Sequence, residues 1–186
     1  MKIKNLYFSP VKSLSFNNVD SLEIIKNIGI KNDRIFAFTN NLNFKDIELI
    51  KNNPLKREIY KFLSLKKYPE LNQYNFLLED NFLILKFENK IILKTDIHNQ
   101  HEVKILCSKL EDILPNINKI NLLKDRVNPF FDTMPIKSIS LINLNSIKDF
   151  ENLSNHKIEY ERFRGNMYVE DLDKWEERKL VGKVLS

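Results

Sequence analysis

Alternation of apolar and polar positions opens the chain. Over residues 2–8, Ile3 and Tyr7 fall on one side of an extended segment and Leu6 and Phe8 on the other, the period of a strand. Ser9-Pro10 ends it, because proline has no amide to give to a ladder. A second strand is predicted over 19–26. A turn region follows at 27–33, where Gly29 is free to take positive φ. A third strand is predicted over 34–39, and Asn40-Asn41-Leu42-Asn43 reads as a hairpin turn. Between 46 and 68 the apolar residues fit helical spacing only in pieces around Pro54, and one short helix is expected after that proline. Strands at 75–79, 82–87 and 90–95, separated by Asp80-Asn81 and Glu88-Asn89, predict a meander.

The second half begins with an amphipathic helix over 98–114. Val103, Leu106, Leu110 and Ile113 recur at helical spacing, and Pro115 stops it. Strands are expected at 119–124 and 137–142, with a loop over 125–135 between them. Asn143 is placed to cap a helix over 144–153 that turns Ile147, Phe150 and Leu153 inward. Residues 156–164 read as a strand that 166–169 extends, and a last strand is expected over 179–185. The pattern predicts an α+β fold, mainly β, with a β domain over 1–96 and a linking helix plus further strands over 97–186.

Composition narrows the field. The chain has 186 residues, 42% of them hydrophobic, enough for a real core, and a net charge of +5. That charge allows an anionic ligand, but the basic residues are dispersed and no aromatic run interleaves them, so nucleic acid is not expected as a partner. The single cysteine, Cys107, excludes an internal disulfide and points to a reducing compartment. Flanked by Leu106 and Leu110, it reads as a small hydrophobe rather than a ligand or nucleophile. His98 and His101 lack companions at metal-ligand spacing. No apolar run is long enough to span a membrane, and the N-terminus carries no signal-like segment; a cytoplasmic protein is expected.

Arginine is rare, confined to positions 34, 57, 126, 162, 164 and 178, yet two lie two apart in Glu161-Arg162-Phe163-Arg164-Gly165-Asn166. On a strand, both guanidinium groups and Asn166 would share one face, and a guanidinium fork suits planar anions such as phosphate. Taken alone, the spacing fits a solvated strand face better than an anion site.

Five short motifs in order shift that balance. Tyr7-Phe8-Ser9-Pro10-Val11-Lys12-Ser13-Leu14 resembles the opening Y-P-V-K-S-L of the domain that precedes MOSC domains (molybdenum cofactor sulfurase C-terminal). Gly29-Ile30-Lys31-Asn32-Asp33-Arg34-Ile35-Phe36 resembles that domain's G-L-x-x-D-R-x-F. Asp132-Thr133-Met134-Pro135 resembles the start of the MOSC barrel. Tyr160-Glu161-Arg162-Phe163-Arg164-Gly165-Asn166 resembles its R-F-R-P-N, with Gly165 in place of the proline. Trp175-Glu176-Glu177, followed by Leu180-Val181-Gly182, resembles its W-x-E…I-G.

The resemblance implies an N-terminal β-barrel-like domain followed by an incomplete MOSC barrel, and a molybdenum–pterin cofactor (Mo-molybdopterin). It implies cofactor contacts at Lys12, Ser13, Arg34, Asp132, Thr133, Met134, Arg164 and Asn166, with Met134 standing where a small hydroxyl residue is often found. Without it, Lys12-Ser13 reads as a solvated turn, Arg34 as an ion pair with Asp33, and Asp132 as a loop cap. The family's molybdenum-ligating cysteine motif lies beyond Ser186, so truncation of a longer protein is expected and no catalytic or metal-ligating residue is assigned. The implied activity is reduction of N-hydroxylated or N-oxidised small molecules, with electrons from a reductase or ferredoxin-like partner. A non-catalytic cofactor carrier is the alternative, and a β-rich protein holding some other phosphate ligand is the third reading.

Overall fold

The computed structural model describes residues 1–114, 116–125 and 138–184. The elements run β1 (Lys2–Phe8), β2 (Asn17–Val19), β3 (Ile24–Ile25), β4 (Gly29–Ile30), β5 (Phe36–Phe38), α1 (Phe44–Asn52), β6 (Tyr74–Glu79), β7 (Phe82–Phe87), β8 (Lys90–Asp96), α2 (Gln100–Ile113), β9 (Leu122–Lys124), β10 (Leu141–Asn143), α3 (Leu144–Ser154) and β11 (Met167–Glu170). This is a mixed, strand-rich architecture of several small sheets. It divides into two compact units. The first holds Met1–Phe8, Asn18–Glu23 and the described residues of Ser138–Ser186; the second holds Ser9–Asn17 and the described residues of Ile24–Lys137.

In the first unit the sheet order is β10-β11-β1-β2. β11 runs antiparallel to β1, with Ile3 opposite Val169 and Leu6 opposite Met167, and parallel to β10, with Asn143 opposite Val169. Flanked on both edges, β11 buries Tyr168 and Val169 completely. The Tyr168 ring meets Tyr7 edge-on with centroids 5.3 Å apart. Asn143 caps α3 as predicted, its side chain accepting from the Asn145 amide.

The second unit is built on β5, whose Phe36, Ala37 and Phe38 are all buried. β9 pairs with it antiparallel, and Val11 bridges to Phe36 in parallel. The predicted meander is β6-β7-β8, closed by left-handed Asp80 in one turn and left-handed Glu88 and Asn89 in the other. α2 buries Leu106, Cys107 and Leu110 in the core that also holds Phe36, Phe38, Phe76 and Leu85.

Four predicted elements differ. The expected strand over 19–26 is broken into β2 and β3; β3 pairs with β4 across a tight turn at left-handed Asn27. The helix lies before Pro54, because Asn43, read as part of a hairpin turn, caps α1 by accepting from the Asp46 amide. Only 3₁₀ turns follow the proline, at Pro54–Lys56 and Ile59–Lys61. Within the expected strand over 156–164, Tyr160–Phe163 is a 3₁₀ turn, held by Tyr168, whose hydroxyl donates to the Tyr160 carbonyl at 3.0 Å and accepts from the Gly165 amide at 3.1 Å. In place of the last strand, Glu176–Leu180 is also a 3₁₀ turn, entered through left-handed Trp175.

Among the described residues, Thr95 Oγ1 on β8 is buried without a hydrogen-bond partner. An orphaned hydroxyl costs its desolvation, roughly 1–3 kcal/mol, so an apolar group of the same shape is at worst neutral. Thr95→Val is therefore expected to raise the thermal midpoint; a lower midpoint would show that the hydroxyl finds a partner in solution.

Candidate functional site

In the second unit the segment 9–15 folds back on itself. Ser15 Oγ accepts from the Val11 amide at 2.9 Å and donates to the Val11 carbonyl at 3.0 Å, while Ser9 Oγ donates to the Ser15 carbonyl at 2.6 Å. The Leu14 amide reaches the Val11 carbonyl at 3.3 Å, closing a four-residue turn with Ser13 at its third position. Ser13 has φ +64°, the sign a type II turn demands there and that glycine or asparagine normally supplies. Lys12 is only 7% exposed, and its amide donates to the Phe36 carbonyl, docking the turn on β5.

Asp33 brings a second turn against the first. Its Oδ1 accepts from the Ser9 amide at 2.9 Å, and its Oδ2 accepts from Arg34 Nη1 at 2.5 Å. The Arg34 amide in turn donates to the Ser9 carbonyl. Arg34 does not open the third strand in extended form; it sits at φ +50°, before β5 begins at Phe36. The ion pair with Asp33, one of the two readings open from the sequence, is present. A guanidinium carries five N–H donors, so this pair occupies a fraction of them. Lys12, Ser13 and Arg34 are thus gathered on two adjoining turns of one unit.

Arg164 and Asn166 belong to the first unit. Because Tyr160–Phe163 is a 3₁₀ turn, Arg162 and Arg164 do not share a strand face. Arg162 is exposed, whereas half-buried Arg164 caps the turn at φ +52° with its amide donating to the Glu161 carbonyl at 2.9 Å. Asn166 is buried. Its Oδ1 accepts from the Ser140 amide and hydroxyl at 3.2 and 2.9 Å, and its Nδ2 donates to the Tyr7 carbonyl at 3.3 Å. Burial pushes the Tyr160 and Tyr168 phenols up, so both stay protonated. Asp132, Thr133 and Met134 lie outside the described residues.

The first unit also holds a pocket of about 280 Å³ that the site prediction passed over. Ile142, Ile147, Phe150, Phe163 and Trp175 wall it, and Glu177 lines it. Glu177 Oε2 accepts from Asn143 Nδ2 at 2.8 Å and Ser146 Oγ at 2.9 Å. Burial raises its proton affinity, but the hydrogen bonds from Asn143 and Ser146 outweigh that and hold the carboxyl below the usual range. The signal for it was the Trp175-Glu176-Glu177 motif, quoted for its resemblance and given no role.

Cys107 supplies no ready ligand. Burial pushes its thiol up to about 11, with a hydrogen bond to the Leu122 backbone acting the other way, so the thiolate that binds soft metals is disfavoured. Among the described residues no group of three or more His, Cys, Asp or Glu side chains could hold a metal ion, and no helix is long and apolar enough to cross a membrane. No family model, curated protein or solved structure matches the chain.

Proposed function

We propose that the chain binds the phosphate-bearing pterin of a molybdenum cofactor, as its MOSC-like motifs imply, through Lys12, Ser13, Arg34 and Arg164. Asp132, Thr133, Met134 and Asn166 belong to the same proposed contact set. The observation that carries this reading is backbone strain. Ser13, Arg34 and Arg164 all hold left-handed φ although none is glycine, asparagine or aspartate. Such positions cost on the order of 1–3 kcal/mol and cluster where a structure must present groups in a fixed geometry. Glu88, Lys119 and Trp175 hold left-handed φ as well; what distinguishes Ser13 and Arg34 is that their two turns adjoin, which puts a hydroxyl and a guanidinium, donors a phosphate requires, on one unit with Lys12. The role of these residues is to bind and orient: Asp33 fixes Arg34, and the docked turn fixes Lys12 and Ser13.

When bound, molybdenum would supply oxygen-atom chemistry, with reduction of N-hydroxylated or N-oxidised small molecules as the class and a reductase or ferredoxin-like protein as electron donor. The strand-rich architecture then corresponds to the family's N-terminal β domain and part of a MOSC barrel, in a cytoplasmic protein. The donor set fits the phosphate better than the metal, because the chain's single thiol is buried and protonated. That asymmetry favours a second reading, in which this chain holds the cofactor without turning it over.

The test is expression in a host that makes the cofactor, with molybdenum analysis and fluorescence of the oxidised pterin on the purified protein. Both signals are expected in the parent chain. Arg164→Glu and Lys12→Glu are expected to cut pterin content at least about ten-fold through loss of charge-assisted hydrogen bonds, with the far-UV spectrum of Arg164→Glu unchanged. Both signals without reduction of N-hydroxylated or N-oxidised compounds in the presence of an electron donor select the carrier reading. A folded parent chain with neither signal ends the cofactor reading and leaves the motifs as reporters of fold alone.

A further inference from the structure

Apart from the proposed cofactor contacts, the first unit has the makings of a small-molecule site. Three aromatic walls, Phe150, Phe163 and Trp175, and two aliphatic ones, Ile142 and Ile147, surround the 280 Å³ pocket. Phe150 is 44% exposed and Phe163 47%, more than large aromatic side chains on a finished surface usually show. Glu177 is the sole ionisable side chain among the pocket's lining residues.

The pocket is stiffly built. Trp175 sits at φ +63°, a left-handed conformation that is an outlier for so bulky a residue. It is held there from three sides. Its amide donates to Ser146 Oγ at 2.7 Å, its indole Nε1 donates to Asp149 at 2.7 Å, and the Arg178 guanidinium stacks 4.9 Å from the ring centroid. Asp149 is anchored in turn by Lys174 at 2.5 Å. The hydrogen bonds from Asn143 and Ser146 converge on Glu177 Oε2 and fix the carboxylate at the pocket's edge. A pre-formed apolar cleft with one oriented polar group is the usual form of a small-ligand site, since little ordering is left to do on binding.

We propose that this pocket binds a small apolar or aromatic molecule carrying an ammonium-type cation, with the ring or chain against Phe150, Phe163 and Trp175 and the cation toward Glu177. Charge complementarity selects this class. A carboxylate at the edge of an apolar cleft repels an anion, gains little from a neutral guest, and forms a charge-assisted hydrogen bond with a cation.

The test uses the chain's own reporter, because Trp175 is its one tryptophan and walls the pocket. The fluorescence of the full chain is titrated with phenethylammonium, with 2-phenylethanol as neutral counterpart and phenylacetate as anionic one. Saturable change with phenethylammonium in the millimolar range, weaker binding of the alcohol and weakest binding of phenylacetate are expected. Glu177→Gln, whose amide oxygen can still accept from Asn143 and Ser146, is expected to weaken phenethylammonium about ten-fold and leave the alcohol unchanged. Phe150→Ala, on an exposed position of α3, is expected to weaken both ligands together. The proposal fails if phenethylammonium gives no saturable change, if phenylacetate binds as well as the cation, or if Glu177→Gln and Phe150→Ala both bind like the parent. It fails equally if sedimentation shows the pocket walls already covered in a dimer that Phe150→Ala dissociates.

Discussion

Arg57→Met is expected to remove roughly 3–5 kcal/mol of stability, the cost of breaking a buried ion pair by removing one of its members. Against a typical total of about 5–15 kcal/mol this would leave the second unit near its limit. The Arg57 and Asp125 side chains are 2% and 0% exposed and bonded to each other. Arg57 does more than neutralise Asp125. Its Nε donates to the Ile50 carbonyl at 2.9 Å and its Nη2 to the Lys51 carbonyl at 3.2 Å, so one side chain closes the last turn of α1. Methionine matches the length of the stem but returns none of these bonds, and it leaves the Asp125 carboxylate buried beside an apolar group. Urea unfolding followed by far-UV circular dichroism measures the loss. Asp125→Asn, which keeps an acceptor without the charge, is expected to cost less. The double variant Arg57→Met with Asp125→Leu is expected to cost less than the sum of its parts, because it strands no charge. A loss under about 1 kcal/mol for Arg57→Met would place the pair in the class of solvated surface bridges and contradict its burial.

That pair also marks where reading the chain runs out. Arg57 and Asp125 stand 68 positions apart, and nothing local in either segment signals the other. What was legible is local. The meander over β6-β7-β8 is written in alternation and in turn residues that tolerate positive φ. α2 and α3 form where helical spacing predicts them, and Asn143 at the start of α3 behaves as its type predicts, but of the three α3 residues expected to face inward only Ile147 is buried, while Phe150 and Leu153 are exposed. What was not legible depends on partners far along the chain. β1 pairs with β11, so Ile3 meets Val169. Residues 156–164 alternate well enough to suggest a strand, yet the Tyr168 hydroxyl binds both Tyr160 and Gly165 and turns the segment instead. The two arginines stood out by their rarity and spacing, but the face they were expected to share depended on a strand that does not form. The candidate site followed the same rule. Lys12-Ser13 and Arg34 were identified by motif, whereas the hydrogen bonds of Ser9 and Asp33 that draw their turns together needed coordinates. Left-handed φ at Ser13, Arg34 and Arg164 had no signal in residue type, because the usual marker of such a position is glycine or asparagine.

Asn166→Ala carries the second large effect, and it bears directly on how the cofactor proposal is tested. Asn166 precedes β11 and joins three segments. Its side chain takes two hydrogen bonds from Ser140, ahead of β10, and gives one to Tyr7 in β1; its own amide donates to Ser140 Oγ at 2.9 Å and its carbonyl accepts from the Tyr7 amide at 2.8 Å. Alanine keeps the backbone bonds and deletes the side-chain ones. The half-buried Ser140 amide and the Tyr7 carbonyl then lose those partners, at roughly 1–3 kcal/mol per group, so a total loss toward the lower end of about 2–6 kcal/mol is expected. Asn166→Asp keeps the acceptor for Ser140 but turns the donor facing the Tyr7 carbonyl into a second acceptor, and it is expected to be destabilised as well. Chemical denaturation resolves both, and an Asn166→Ala midpoint equal to the parent's would refute the bracing role. The consequence for the cofactor is a matter of which variant is informative. Loss of pterin from Asn166→Ala could follow from a loosened β1–β11 junction without any contact to the ligand. Half-buried Arg164, on the adjoining turn, lies outside that bracket of Asn166, Ser140 and Tyr7 hydrogen bonds, so its variant tests the ligand more directly. If Arg164→Glu retains the parent's midpoint and loses the pterin, its effect is on the ligand rather than the fold. If instead both variants lose stability and pterin in proportion, Arg164 is a structural residue and its place among the cofactor contacts is withdrawn.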